Sequence, residues 1–396
     1  MAQTSNIEWT QATWNPIAGC SIVSPGCTNC YAMKMAARHE AMSAANGRVS
    51  PYAGLTKKTK AGAVWNGEMR LVESALALPL TWRKPRTIFV NSMSDLFAEG
   101  VPFEWVDHVF GVMALASWHT YQILTKRPDR MREYMRRRRG LLARHMVDAY
   151  LMQPDQLKKN ARAINVAWPV ESVGDLLNPD DIRMRHWPLP NVWLGVSAED
   201  QTRWDMRVPE LLWTPAAKRF VSIEPMLGPI ETDTIEVMDG DAEVYPLAGT
   251  EDCIDEDGEA RSAIPPLDWI IVGGESGPGA RPMHPDWIRK IRDACSTEGV
   301  AFFFKQWGAF KEAFHDHDGP KIDVVDADGD AADAIMALFA GRETVFVSAA
   351  GQAVRSHHLN LPEGGAWRLM VKAPKGGNGR LLDGVEHNSM PEVARG

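Results

Sequence analysis

Thr87-Ile88-Phe89-Val90-Asn91-Ser92-Met93-Ser94-Asp95 is an apolar run that breaks abruptly into polar residues, and the same unit recurs along the chain. Thr120-Tyr121-Gln122-Ile123-Leu124 runs into Thr125-Lys126-Arg127, and Asn191-Val192-Trp193-Leu194-Gly195-Val196 into Ser197-Ala198-Glu199-Asp200. Arg219-Phe220-Val221-Ser222-Ile223 runs into Glu224-Pro225-Met226, Asp268-Trp269-Ile270-Ile271-Val272 into Gly273-Gly274-Glu275-Ser276, and Val300-Ala301-Phe302-Phe303-Phe304 into Lys305-Gln306. Nearly continuous apolar runs fit strands covered on both faces. Helical stretches at Glu104 to Ser117, Arg127 to Arg144 and Asp286 to Thr297 lie between several of them. The alternation predicts an α/β fold with a parallel sheet, here a partial parallel (β/α) barrel of about six or seven strands.

In a parallel barrel the carboxyl ends of the strands gather on one face, where sites are built from the following loops. Any one polar cluster is equally a helix cap. A succession of them at consecutive strand ends points to a shared polar site.

Upstream of the first of these runs, Gly19-Cys20-Ser21-Ile22-Val23-Ser24-Pro25-Gly26-Cys27-Thr28-Asn29-Cys30-Tyr31-Ala32 holds three of the five cysteines in the spacing C-x6-C-x2-C. Three protein ligands leave one coordination position of a zinc ion, or one iron of a cubane cluster, open to water or substrate. Pro25-Gly26 suits a tight turn that folds the spacer back, and Tyr31 to Met42 is a helix-forming run with no Pro or Gly before Gly47. The thiols therefore precede a helix N-terminus, which favours negative charge. An open metal or cluster site, a structural zinc completed by a distant residue such as His39, and unligated thiols all remain possible readings of the spacing.

At 396 residues the chain can bury a sizeable core. It is 45% hydrophobic and 24% charged, with no apolar run near membrane-spanning length, so no membrane partner is expected. Met1 to Asn6 lacks a basic region followed by an apolar core, and the odd number of cysteines argues against a disulfide framework; the expectation is the reducing cytoplasm. Lys and Arg number 43 against 51 acids, a net charge of −8 that gives no global hint of nucleic acid but leaves room for a local basic face.

A three-cysteine loop after the first strand-like segment, an aromatic residue and a helix, then a parallel β/α array with polar strand ends, resembles the radical S-adenosylmethionine superfamily. That superfamily usually has C-x3-C-x2-C with an aromatic before the third cysteine; here the first gap is six and Tyr31 follows Cys30. The closer resemblance is to a phage-associated three-cysteine-motif group related to the spore photoproduct lyase branch. It is carried by Trp14-Asn15-Pro16, Gly19-Cys20, Ser24-Pro25-Gly26-Cys27, Asn29-Cys30-Tyr31-Ala32, Ser92-Met93-Ser94-Asp95-Leu96-Phe97, Leu124-Thr125-Lys126-Arg127-Pro128, Trp193-Leu194-Gly195-Val196-Ser197, Glu224-Pro225-Met226-Leu227-Gly228 and Val272-Gly273-Gly274-Glu275-Ser276-Gly277. It covers roughly residues 6 to 310 and again Gly379 to Gly384.

The resemblance implies a [4Fe-4S] cluster on Cys20, Cys27 and Cys30, S-adenosylmethionine as cofactor, an external one-electron reductant and a 5′-deoxyadenosyl radical. It tilts the substrate toward a nucleic acid base, in modification or repair of phage or host DNA in the host cytoplasm. Ser92, Ser94 and Asp95 lie where that superfamily contacts the methionyl amino group. Ser197 and Glu199 can reach ribose hydroxyls, and Lys126 or Arg127 can pair the methionyl carboxylate. Asp95 and Glu199 are also plausible helix caps. Glu224 joins the cofactor-binding candidates. Gly273-Gly274, opening a glycine-rich loop that carries Arg281 at its end, can cradle an anion on backbone N–H groups or be a plain turn. Lys305 and Glu275 are the substrate-side catalytic candidates, or else an ion pair that braces the barrel.

Arg127 to Arg144 carries eight arginines and is a candidate nucleic-acid footprint or a solvated helix end. Residues 231 to 259 hold twelve acids and no Lys or Arg, the core of an expected mobile acidic insertion over 231–264. Within it Cys253 is a poor fourth ligand; Cys295, on a helix, reads as a packed thiol. The expected division is a barrel over 1–312 and an extension over 313–396. In the extension His315-Asp316-His317-Asp318 can bind a metal or stay solvated, and Lys375 to Arg380 can form a lid. Two other classes of function remain open, a zinc-stabilised nucleic-acid-binding protein without catalysis and a hydrolase with an open zinc.

Overall fold

A computed structural model describes residues 5, 7–60, 62–137, 187–240, 242–254, 260–313, 339, 342–354, 367–373 and 379–392. Its centre is an all-parallel, seven-stranded sheet curled into a half-barrel. The strands are β1 (Ala12–Trp14), β2 (Thr87–Val90), β3 (Thr120–Thr125), β4 (Val192–Ser197), β5 (Lys218–Ile223), β6 (Trp269–Gly273) and β7 (Ala301–Gln306), and their order in the sheet is their order in the chain. The register runs Ala12↔Ile88, Thr87↔Thr120, Tyr121↔Val192 and Trp269↔Ala301. A shift after Val272 pairs Gly273 with Gln306.

Six of these strands are the apolar runs of the sequence, within a residue or two. Every residue of β4 and β6 is buried, as strands covered on both faces require. Gly195 in β4 has no side chain because the Phe220 ring of β5 fills its place, lying 2.6 Å from where a Cβ would stand.

The main helices are α1 (Tyr31–Ala45), α2 (Phe103–Leu115), α3 (Pro128–Arg137), α4 (Gln201–Trp213) and α5 (Pro285–Glu298). In α3 Met131, Tyr134 and Met135 are buried, with Tyr134 within 5.0–6.0 Å of the rings of Phe110, Phe103 and Phe97. Its apolar stripe thus packs inward; Arg130, Arg132 and Arg136 are half-buried, Arg130 donating to Phe97 O and Val101 O and Arg132 pairing Glu210 at 3.1 Å, while Arg137 is exposed, and Arg138 to Arg144 lie outside the described residues. The start of α5 is capped by the His284 ring, which accepts from the Asp286 N–H, and its end by Gly299 at φ 71°.

The acidic insertion is not a mobile segment over its described residues. Ile235–Val237 pairs antiparallel with Ala242–Val244, and Thr250–Ile254 with Ala260–Ile264. Ile235, Val237 and Val244 are buried whereas Glu236 and Glu243 are exposed, so these acids occupy the solvent face of a hairpin with an apolar inner face. Cys253 lies in the strand Thr250–Ile254, and Cys295 is buried in α5.

Near the C-terminus Phe310–Glu312, Trp367–Lys372, Thr344–Ser348 and Ala353–Val354 form an antiparallel sheet in that order. His315 to Asp318 and residues 375–378 lie outside the described residues. Among the described residues no helix is long and apolar enough to cross a membrane. The chain divides into two compact units, Met1–Val196 with Glu210–Phe220 and Glu392–Gly396, and Ser197–Pro209 with Val221–Pro391.

Candidate functional site

In the first unit the cysteine loop is held by backbone geometry. After β1, Ile17–Ala18 pairs antiparallel with Arg70–Leu71. Gly19 then turns the chain at φ 96°, where a Cβ would lie 2.1 Å from the Glu68 carbonyl oxygen. Only glycine allows both the conformation and the approach. Gly19 also bridges to Ser94 beyond β2. Further on, a succession of tight turns brings the cysteines round: Cys27 N–H donates to Ser24 O (2.9 Å), Thr28 N–H to Pro25 O (3.2 Å) and Cys30 N–H to Cys27 O (3.2 Å). Pro25–Cys27 is a 3₁₀ turn, as the Pro-Gly pair predicts, and Cys30 is the residue before α1.

Cys20, Cys27 and Cys30 are free and half-buried. Burial pushes the Cys20 thiol up to about 12; the Asp95 carboxylate and the other two cysteines push the same way and Arg127 opposes. Cys30 is also raised by burial, opposed by the N–H groups of Ala32 and Met33 at the start of α1. The thiols therefore lie in one another's field. Among the described residues no three His, Cys, Asp or Glu side chains are gathered at metal-holding geometry, so the loop is not a preformed chelate. The loop carries three thiols on tight turns, with a cation beside them.

That cation is Arg127, which follows β3. Its guanidinium is almost wholly buried, with Nη1 4.0 Å from Cys20 Sγ and 3.1 Å from Asp95 Oδ2, and Nε 3.2 Å from Glu99 Oε1. Nη2 donates to the carbonyl and hydroxyl of Ser21. Burial alone would lower its pKa, but Asp95, Cys20 and Glu99 outweigh this and keep it charged.

Asp95 takes a structural part. Its carboxylate accepts from Phe97 N–H (3.0 Å), Thr125 Oγ1 (2.7 Å), Lys126 N–H (3.0 Å) and Arg127 Nη1 (3.1 Å), about the full capacity of a carboxylate. Ser92 Oγ donates to Asn15 Oδ1 (3.2 Å), and Ser94 Oγ to Ile17 O (2.9 Å). The Ser92 carbonyl accepts from Tyr31 OH at 2.5 Å. These three residues thus tie the loop after β2 to the cysteine loop. Lys126 is half-buried and its charge lowers the pKa of Cys30. Asn15, Ser21 and Glu99 have no role assigned from the sequence; Asn15 and Ser21 lie in the Trp14-Asn15-Pro16 and cysteine stretches, while Glu99 carries no signal beyond nearness to Asp95.

In the second unit each strand-end carboxylate holds its own cation. Glu199 is completely buried, its Oε2 3.1 Å from Arg207 Nη1, which also donates to Ser197 O at 2.7 Å. Glu224 binds Lys305 Nζ at 2.7 and 3.0 Å. Glu275 accepts from Arg281 N–H (2.8 Å), Nε (2.8 Å) and Nη2 (2.6 Å), a forked pair that raises the arginine pKa. Lys305 and Glu275 are therefore not partners, because a different cation and a different carboxylate lie nearer each. Gly273 faces the Glu224 side chain, and a Cβ on Gly274 would lie 2.0 Å from the Trp307 carbonyl oxygen. The second glycine admits a neighbouring backbone, so an anion cradle is not needed to explain it.

The fold is that of an α/β half-barrel protein, with three free cysteines in the loop between its first strand and first helix. The chain belongs to the family described as protein of unknown function (DUF5131), whose profile matches residues 4–391. No curated protein and no solved structure matches it.

Proposed function

We propose that the chain is an iron–sulfur, S-adenosylmethionine-dependent radical enzyme acting on a nucleic acid base. The reading rests on the donor set: Cys20, Cys27 and Cys30 in one another's field, with a buried guanidinium 4.0 Å from Cys20 Sγ. The three thiolates would hold a [4Fe-4S] cluster and leave one iron open. A cluster held there would supply one electron, drawn from an external reductant, for reductive cleavage of the S–C5′ bond of S-adenosylmethionine to methionine and a 5′-deoxyadenosyl radical. Arg127 offsets part of the charge that three thiolates bring, and Asp95 holds Arg127 in place. Lys126, in the field of Cys30, would pair the methionyl carboxylate.

A closed structural zinc is the weaker reading. His39, its candidate fourth ligand, lies nine residues beyond Cys30 on α1, roughly 13 Å along the axis, and its exposed ring faces Tyr52 at 5.9 Å. The test is anaerobic reconstitution with iron and sulfide analysis, then dithionite and S-adenosylmethionine with assay for 5′-deoxyadenosine. About four irons per chain, lost in Cys27→Ala, together with deoxyadenosine release, is the expected result. Colourless protein holding one zinc under these conditions overturns the reading.

A further inference from the structure

Residues 31 to 86 carry ten Lys and Arg against three acids, a surplus of seven in a chain whose net charge is −8. Lys34, Arg38, Arg48, Lys57, Lys58 and Lys60 are exposed. The charge is concentrated around α1 and the hairpin of Thr56–Thr59 and Gly62–Trp65, which packs against that helix.

Helix α1 has an unusual division of faces. Ala32, Met33 and Ala36 are its buried residues, and they join Leu55 and Trp65 in an apolar cluster. Its larger side chains Tyr31, Met35 and His39, spaced by four residues on one face, are exposed instead. A ring and methionine stripe at this spacing normally packs into a core. Here it lines a groove of about 1550 Å³, together with Tyr52, Arg48 and Arg70. Arg70 shapes the floor by donating to Pro51 O and Ala53 O, both at 3.0 Å. The groove exceeds the roughly 300–1,000 Å³ of a small-molecule pocket.

We propose that this cationic, ring-lined groove binds single-stranded nucleic acid. Surplus positive charge along a groove tracks a phosphate backbone, and exposed rings offer platforms on which unpaired bases stack. Arg48, which lines the groove, Arg38 on α1, and Lys57, Lys58 and Lys60 on the hairpin packed against α1 are the phosphate contacts; Tyr31, His39 and Met35 are the stacking surface. The proposal deepens the nucleic-acid reading above by giving the strand a surface, and rests on that reading only for what is done to the strand.

The test is fluorescence anisotropy of a labelled 15-nucleotide mixed-sequence DNA strand with the full chain, purified in air, across a salt series. Neutralising about five phosphates gives a slope of log K against log salt near −3.5. The combined K57E/K58E/K60E variant should weaken binding at least about tenfold at 100 mM salt and flatten the slope by about 2. M35A/H39A should weaken it about fivefold with the slope unchanged. An unfolding midpoint within about 2 °C of the parent confirms that these surface changes leave the fold intact. Salt-independent or absent binding, a duplex of the same sequence bound as tightly, or loss of binding in R136E/R137E but not in the hairpin variant, each overturns the proposal. Iron analysis of a second portion of the same protein after anaerobic reconstitution separates the two readings: strand binding without iron uptake leaves the groove standing alone, and iron uptake without strand binding leaves the cluster standing alone.

Discussion

Replacing Arg127 by methionine tests whether one buried cation both braces and charges the cysteine loop. The change removes the contacts to Asp95, Glu99, Ser21 and Cys20. Breaking a buried ion pair from one side costs about 3–5 kcal/mol. Two facts lower that figure. Asp95 keeps three other donors, so its charge is not stranded, and Glu99 is 60% exposed, so its share is small. A loss of about 2–3 kcal/mol is expected, which lowers the unfolding midpoint by about 2–4 °C in a chain of this size. The effect on the thiols is separate. Unit charges 4 Å apart at an effective dielectric of 20 interact by about 4 kcal/mol. With half of that screened at a half-buried loop, about 2 kcal/mol remains, or roughly thirtyfold in resistance to an iron chelator. The assays are a thermal melt and iron release after anaerobic reconstitution, run beside Arg127→Lys. Lysine keeps the charge but not the fork, so it should melt early and still retain most of its iron. Retention of iron by Arg127→Met equal to the parent, with the melt lowered as expected, would show that Arg127 is a brace alone and refute the electrostatic part of the argument.

Gly19→Ala should release the cysteine loop, because its Cβ meets the Glu68 carbonyl at a positive φ; reconstituted iron per chain is the readout, and undiminished iron counts against the geometry. Gly274→Ala should lower stability by at least about 3 kcal/mol, since backbone must move against backbone at Trp307; a urea midpoint within error of the parent contradicts this. Burial lowers the His119 pKa to about 4, and the ring holds Pro79 O and the Arg86 N–H as a neutral imidazole. The unfolded chain binds that proton more readily, so this stabilisation is complete above the ordinary value of 6.5 and is lost as pH falls from there toward 4. Urea unfolding at pH 7 and pH 4.5 should differ by on the order of 2 kcal/mol more in the parent than in His119→Gln; equal differences reject the assignment.

The strands at 192–197 and 269–273 are legible because burial on both faces leaves a continuous apolar run. Ala12–Trp14 is not: three residues carry no period. Helix Gln201–Trp213 is hidden by Pro209 in its interior. The acidic hairpins are hidden by their own charge, since alternation such as Ile235-Glu236-Val237 is outweighed by the acids around it. The cysteine spacing draws attention to the loop, yet the arginine beside Cys20 is 107 residues away in the chain, where no local pattern can show it.

By itself the sequence determined the kind of sheet and the place of the thiols, because apolar period and cysteine spacing are local and survive any arrangement of the rest. Tertiary structure decided which charge meets which. Glu224 and Glu275 are alike as carboxylates, and nothing in their neighbours says that the first takes Lys305 and the second Arg281. The positive surplus of residues 31 to 86 can be counted in the sequence, but the positions of its side chains cannot be read there. They become a surface only when α1 turns its aromatic stripe outward and a lysine hairpin packs beside it, because an electrostatic field sums over distance in space and not along the chain.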